Sequence, residues 1–422
     1  MLQEDKPITR DTVFVAGGQP SITYVEREQL HIERNLSRVL AAPNQIVSLA
    51  GPTKCGKTVL CRRILGAREY VWIDGGQIRT AAHLWERVCF ELNYPNEITK
   101  TLTDKTEGKA EASAFVVTAS GSRLSSREAS RTYQIDSMAT AIRHLTERSV
   151  VLVVDDFHYL LEEVRLEFLR NIKGAVFNGL KVLLLSVTHR AFDPIKSETE
   201  LTGRFTAITV PEWSTDDLKR IPEKGFYALN VSCGDTFVSL LSEEAQESPF
   251  LMQKFCWEIC YDLDVFTRSP EIKKVPDGYP LRELYSRISN DSGLPIYQRL
   301  VAGPQARKQR LKRPLRSGKE ADVYEATLLA IAETGPKPSL SYDEIRLRLN
   351  AILADKVPQK HEVTSALKHL SRISGEHSTD RGIDWDEGKR TLHIVDPYLR
   401  FYLRWQIRQS DPSLDIPFQP SG

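Results

Sequence analysis

The octapeptide GPTKCGKT at 51–58 constrains this chain more than any other feature. Its spacing, Gly51, four residues, Gly56, Lys57 and Thr58, is that of a loop that cradles phosphates. Glycines let successive amides point inward at an anion. The lysine ammonium reaches the β- and γ-phosphates, and the threonine hydroxyl ligates Mg²⁺. Such a loop needs a buried strand before it and a helix N-terminus after it, whose dipole favours anions. Both flanks are present. QIVSLA (45–50) suits a buried parallel strand, and TVLCRRIL (58–65) has helical spacing, with Val59, Leu60, Ile64 and Leu65 facing inward. Gly51, Pro52, Thr53, Lys54, Cys55, Gly56, Lys57, Thr58 and Val59 are therefore the candidate nucleotide-binding set, with ATP and Mg²⁺ as expected cofactors. Cys55 reads as a tolerated small residue in the loop.

Four more strands follow by pattern: REYVWID, SVVLVVDD (149–156), KVLLLSV (181–187) and the shorter FTAITV (205–210). AAHLWERVCFEL (81–92) between them has helical spacing, with Leu84, Val88 and Leu92 on one face. Strands alternating with helices predict an α/β domain built on a parallel sheet. SVVLVVDD is the strongest apolar run, and it ends in Asp155 and Asp156. A carboxylate at a strand's carboxyl end is placed to order the Mg²⁺ shell, which assigns Asp155 to the metal and Asp156 to the attacking water. Aspartate is one methylene shorter than glutamate, so slow turnover is expected.

With these motifs the chain resembles AAA+-like and STAND-type P-loop ATPases, above all the archaeal-type ATPases related to origin-recognition proteins, and more distantly the NB-ARC ATPases. The resemblance implies an ASCE-type parallel sheet with helices on both faces, a helical lid and a C-terminal winged helix-turn-helix domain. One candidate strand between the loop strand and the Asp-ending strand fits that branch. TYVEREQLHIERNL (23–36) is similar to the arm that such proteins place near the nucleotide base. LLLSVTHR (183–190) is similar to a sensor-1 strand, which implies that Arg190 reads the γ-phosphate. SPFLMQKFCWEIC (248–260) is similar to the lid helix, whose proline, here Pro249, packs against the nucleotide. LHIVDPYLRFYLRW (392–405) is similar to the end of the winged helix. Glu247 stands where the family commonly has Gly, and no Arg occupies the usual sensor-2 position near Pro249. Asp156 replaces the Glu of most AAA+ enzymes, as in NB-ARC relatives. This lid implies a switch more than a fast motor. Arg204 in TGRF has two readings, an arginine finger acting in trans or a surface residue.

The expected division is an N-terminal arm (1–43), an ATPase core (44–210), a lid (211–303), a basic linker (304–319), a winged-helix domain (320–408) and a tail (409–422). Within the core, 99–133 is rich in Ser, Thr, Ala and charge and reads as a mobile insertion, with a hairpin around AFVVTA. In the lid, Ser214 or Thr215 is placed to cap a helix, and two further helices break near Pro249. The linker carries Arg307, Lys308, Arg310, Lys312, Arg313, Arg316 and Lys319 with no acid between them. That run can release counterions from DNA or remain a solvated connection. EADVYEATLLAIAETG (320–335) reads as an amphipathic helix, SYDEIRLRLN (341–350) opens with a capping box, and QKHEVTSALKHLSRIS (359–374) is a third helix. IDWDEGKRTLHIVD (383–396) reads as a hairpin turning at Glu387-Gly388, and 395–408 as a final helix. In a winged helix the third helix enters the major groove, so Lys360, His361, Thr364, Ser365 and Lys368 are candidate groove contacts, with Lys389 and Arg390 on the wing. The same domain serves in STAND-type ATPases as a clamp that touches no nucleic acid.

The net charge is +1, so global electrostatics do not argue for nucleic acid. The 422 residues suit two or three domains. No apolar run reaches the roughly 18 residues of a membrane helix, and MLQEDKPITR lacks a signal-type stretch, so a cytoplasmic protein without a membrane partner is expected. Six scattered cysteines form no Cys-x-x-Cys pair, and Cys256 and Cys260 read as core. Three functions are compatible with these motifs. One is an ATP-hydrolysing switch, homo-oligomeric in the ATP state. Another is a DNA-associated ATPase in DNA maintenance, transposition or anti-phage defence. The third is a non-hydrolysing scaffold that binds ATP or ADP and presents its winged helix to a protein effector.

Overall fold

The computed structural model describes residues 7–94, 97–102, 129–134, 136–190, 203–305, 309–376 and 382–407. The chain divides into two compact units: Gln29–Gly51 with Leu60–Val210, and Met1–Glu28 with Pro52–Val59 and Pro211–Gly422.

The first unit is an α/β layer built on a five-stranded sheet. Its strands are β1 (Ile46–Ala50), β2 (Tyr70–Asp74), β3 (Val151–Asp155), β4 (Lys181–Ser186) and β5 (Phe205–Thr209). All neighbours pair in parallel, in the order β2-β3-β4-β1-β5. The five apolar runs read from the sequence are these five strands. Burial follows composition: β1, β3 and β4 are rich in Val, Leu and Ile and lie inside the sheet, whereas β2 and β5 are more exposed and form its edges.

Side chains alternate across the sheet. Leu152, Val154, Val182 and Leu184 join a cluster with Leu84, Trp85, Val88, Leu145, Phe157 and Phe168. The alternate residues Val151, Val153, Leu183 and Leu185 are equally buried, so both faces are covered. The helices Ala81–Glu91, Ser137–Glu147 and Glu162–Phe177 supply the first cluster, with the Trp85 and Phe168 rings 5.7 Å apart. Thr80 and Asp136 cap the first two by accepting from His83 and Ala139 amides. The strands Glu97–Leu102 and Ala129–Gln134 form an antiparallel ladder, so the ends of the expected insertion are paired backbone. The hairpin expected around AFVVTA lies outside the described residues.

The second unit is mainly helical. Thr215–Leu229, Asp235–Glu244, Pro249–Asp262 and Leu281–Ala302 enclose a core with Val13, Phe14 and Val25 of the N-terminal arm. Of the two expected caps, Ser214 is the one used, accepting from the Asp217 amide at 3.1 Å. Cys256 and Cys260 lie fully buried in this core, and burial pushes both thiols up, Cys260 to about 12. Among the described residues no group of three or more His, Cys, Asp or Glu is placed to hold a metal ion.

The helix Leu281–Ala302 lies within the expected lid (211–303), although Gly293 and Pro295 inside it disfavour a helix. Tertiary packing overrides that signal. A Cβ on Gly293 would lie 2.2 Å from Tyr402 Cβ, so the glycine permits the close approach of the C-terminal helix Pro397–Tyr402. Within 395–408 the α-helix spans only Pro397–Tyr402, and a wider π-type turn continues it over Leu403–Ile407.

Towards the C-terminus, Val323–Ala332, Tyr342–Ile352 and Lys360–Glu376 pack with the antiparallel strands Ser339–Ser341, Thr391–Ile394 and Ile383–Asp386, Thr391–Ile394 in the middle. The expected capping box is present, with Ser341 and Glu344 bonding reciprocally. Val323–Ala332 is not amphipathic. Tyr324, Ala326, Thr327, Leu328, Ala330, Ile331 and Ala332 are all buried, because this helix is the centre of its cluster.

The expected basic linker needs correction. Arg313–Pro314 pairs with Glu320–Ala321, Leu315 bridges to Leu353, and Arg316 donates to the Leu353 carbonyl at 3.2 Å. The described part of the run is therefore a folded piece of the C-terminal region, held by its own arginines. Among the described residues, no helix is long and apolar enough to cross a membrane.

Candidate nucleotide site

Within the α/β unit, parallel strands bring their carboxyl ends to one edge. β1 ends at Ala50, whose carbonyl accepts from the Val210 amide at 2.7 Å, and the Gly51 amide donates to Ser186 at 3.2 Å. Asp155 ends β3 at the same edge, with β4 between it and β1. Two strand spacings, about 10 Å, separate the two strand ends.

The chain turns sharply after Asp155. Asp156 adopts left-handed φ +51, and its amide donates to Asp155 Oδ1 at 3.0 Å. The turn Phe157–Tyr159 follows, anchored by Phe157 at 1% exposure. Arg190 closes the turn Thr188–Arg190 directly after β4, its amide donating to the Val187 carbonyl at 3.0 Å. Arg204 precedes β5, with its guanidinium 5.0 Å over the Phe177 ring of the same unit.

Sequence reasoning missed Asp74 and Gly75. Asp74 is the register partner of Asp155 and accepts from the Gly76 amide at 2.9 Å and the Gln77 side chain at 2.8 Å. A Cβ on Gly75 would lie 2.9 Å from the Asp155 carbonyl and 2.8 Å from that of Asp156. The signal was the Asp-Gly-Gly that ends β2, which alone reads as an ordinary turn.

The loop residues are positioned by the second unit. Lys54 and Gly56 have left-handed φ of +60 and +96. The buried Lys57 ammonium donates to the Pro52 carbonyl at 2.8 Å. Lys57 and Thr58 open the helix Lys57–Leu65, as the motif requires. Trp213 Nε1 donates to the Cys55 carbonyl at 2.9 Å, and Gln19 donates to the Val59 carbonyl at 3.2 Å. Lys54 pairs with Asp396, its ammonium 4.7 Å over the Tyr398 ring and 5.7 Å over Phe250. Asp396 is 1% exposed and caps Pro397–Tyr402, accepting from the Tyr398 and Leu399 amides. Pro249, at the first turn of Pro249–Asp262 behind the Ser248 cap, precedes Phe250, so the expected lid proline adjoins a ring that faces the loop lysine.

The candidate nucleic-acid residues divide. Arg310 pairs with Asp322 at 2.9 Å and lies over the Tyr324 ring, and Arg313 pairs with Glu362 at 2.8 Å. Lys368 pairs with Glu387 at 2.6 Å, and Arg390 lies over the Tyr342 ring at 4.7 Å. Lys312 and Lys360 are exposed, and Lys389 is exposed with Asp386 4.0 Å from its ammonium. Arg307 and Lys308 lie outside the described residues.

The AAA domain family matches residues 41–191, from the approach to the loop through Arg190. This core has the P-loop AAA+ fold. Among solved structures, the Walker-type ATPase PABY2304 of Pyrococcus abyssi matches 91% of this chain and 100% of its own, with 16% identity and a TM-score of 0.53. At that identity the likeness is one of fold. The Cdc6p structure from Pyrobaculum aerophilum matches 96% of this chain and 100% of its own at 14% identity and TM-score 0.42. The Aeropyrum pernix ORC1 protein in complex with DNA matches 94% and 96% at 12% identity and TM-score 0.47. No curated protein matches the sequence.

Proposed function

We propose that this chain is an ATP-hydrolysing switch in which the phosphate loop reports nucleotide state to the C-terminal three-helix region. The observation that carries the coupling is the Lys54–Asp396 pair, a loop cation joined to the buried cap of a C-terminal helix. In this reading Lys57 and the loop amides hold the phosphates, and Thr58 and Asp155 ligate Mg²⁺. Asp156 orients water and Arg190 senses the γ-phosphate. When bound, Mg²⁺ neutralises charge on the transferred phosphoryl group. A polyphosphate in the loop competes with Asp396 for Lys54, so nucleotide binding weakens the hold on the C-terminal helix. Asp396→Asn keeps a capping oxygen and removes the charge. It is expected to raise ATP affinity and turnover several-fold. Wild-type protein that binds no ATP, or an Asp396→Asn variant with wild-type affinity and turnover, overturns this reading.

The helix-strand-helix-helix-hairpin order, with Lys360 and Lys389 exposed, supports reading the C-terminal region as a DNA-contacting winged helix. Salt-dependent binding of a DNA duplex tests it, and oligomerisation on that DNA is followed by mass in each nucleotide state. Retained ADP with no turnover, and a protein effector captured instead of DNA, would favour the scaffold alternative.

A further inference from the structure

Trp213 has no role in the motifs described above, yet it reaches into the phosphate loop. Its indole N–H donates to the Cys55 carbonyl at 2.9 Å. The peptide that follows is trans, since the described backbone contains no cis bond. In a planar trans peptide the N–H points opposite to the carbonyl. Fixing the Cys55 carbonyl towards Trp213 therefore aims the Gly56 amide away from the indole. Gly56 is the glycine directly before Lys57, where loops of this type present an amide to the phosphates.

The indole is itself held in place. The Arg27 guanidinium lies 4.7 Å over its ring, and Arg27, 8% exposed, donates to the Pro211 and Glu212 carbonyls at 3.0 and 3.1 Å. The two residues before Trp213 are thus fastened to the N-terminal arm, and the stacked cation restricts the ring. Lys224 and Arg220 donate to the Tyr24 and Glu26 carbonyls, which fixes the arm on the helix Thr215–Leu229. A continuous set of bonds runs from that helix through Arg27 and Trp213 to one peptide plane of the loop.

We propose that Trp213 is a positioning residue for phosphate binding, holding the Cys55–Gly56 peptide so that the Gly56 amide faces the polyphosphate. The proposal rests on the nucleotide-binding reading of the loop. Trp213 touches no phosphate itself and acts through the backbone.

The test measures AMP, ADP and ATP affinities by calorimetry on the full chain. The variants are Trp213→Phe and a chain carrying 3-benzothienylalanine at 213, in which sulfur replaces the indole N–H at nearly constant shape. Both keep a ring against Arg27. ADP and ATP are expected to bind about tenfold more weakly in each variant, the effect of losing one well-oriented hydrogen bond to a charged group. AMP, lacking the β-phosphate, is expected to change less than threefold. Equal losses for all three nucleotides would mean a general structural role and overturn the proposal. Wild-type affinity for ADP in the isosteric variant would overturn it too. Wild-type protein that binds none of the three overturns the nucleotide reading itself, which separates that failure from this one.

Discussion

Glu247 faces Arg400 at 3.2 Å while its own backbone sits at φ +59. The preceding Gln246 is also left-handed, at φ +52, and its carbonyl accepts from the same guanidinium. Each such non-glycine residue costs about 1–2 kcal/mol. Glycine would remove the strain at 247, which is the residue that family resemblance leads one to expect there. What keeps glutamate compatible is Arg400, 6% exposed, whose pKa is lowered first of all by burial. The Glu247 carboxylate is partly exposed, but its loss leaves the buried Arg400 charge with fewer partners, a cost expected to exceed the strain. Glu247→Gly is therefore expected to lower the melting temperature despite its easier backbone. Glu247→Gly with Arg400→Met should recover part of the loss, and a double-mutant cycle by thermal denaturation should show coupling above about 1 kcal/mol.

At the carboxyl edge of the sheet, Gly75→Ala is expected to displace Asp155 and Asp156 together, because the added Cβ meets both carbonyls under 3.0 Å. Phosphate release should fall at least tenfold while circular dichroism stays close to wild type. Asp156→Asn, which changes charge and not shape, should retain ATP binding and lose turnover. Wild-type hydrolysis by Asp156→Asn would remove that residue from the chemistry.

Basic residues in the C-terminal region should fall into two classes. Lys360→Glu and Lys389→Glu are expected to weaken DNA binding, each lowering the slope of log affinity against log salt by about 1. Arg310→Ala and Arg313→Ala should instead lower the melting temperature, since both arginines are paired within the fold. Salt titrations and melts on the same four variants check the division. A slope change from Arg313→Ala at unchanged stability would contradict it.

Folding depresses the Glu344 carboxyl to about 2, first through the Ser341 amide and then through Lys337 and the Ser341 hydroxyl. A depressed acid stabilises the fold above its unfolded value, and the effect is lost as pH falls through the folded one. The melting difference between wild type and Glu344→Gln should thus be greatest above about pH 4.5 and shrink towards pH 2. A difference independent of pH would show that shape and not charge holds the capping box.

Much of the fold is legible in the chain because its signals are local. Runs rich in Val, Leu and Ile mark β1, β3 and β4, and Ser214 and Ser341 announce helix starts, since a strand's burial and a cap's hydrogen bond are set within a few residues. The loop at 51–58 is equally self-contained. Only tertiary structure decided where charges and polar groups find partners. The basic run reads as a solvated linker or a DNA contact until Arg310 meets Asp322 and Arg313 meets Glu362. Lys54 and Asp396 stand 342 residues apart, and Trp213 and Cys55 stand 158 apart. An ammonium, a carboxylate or an indole N–H bonds to whatever surface the folded chain brings within about 3 Å, and no local pattern of residues encodes that distance.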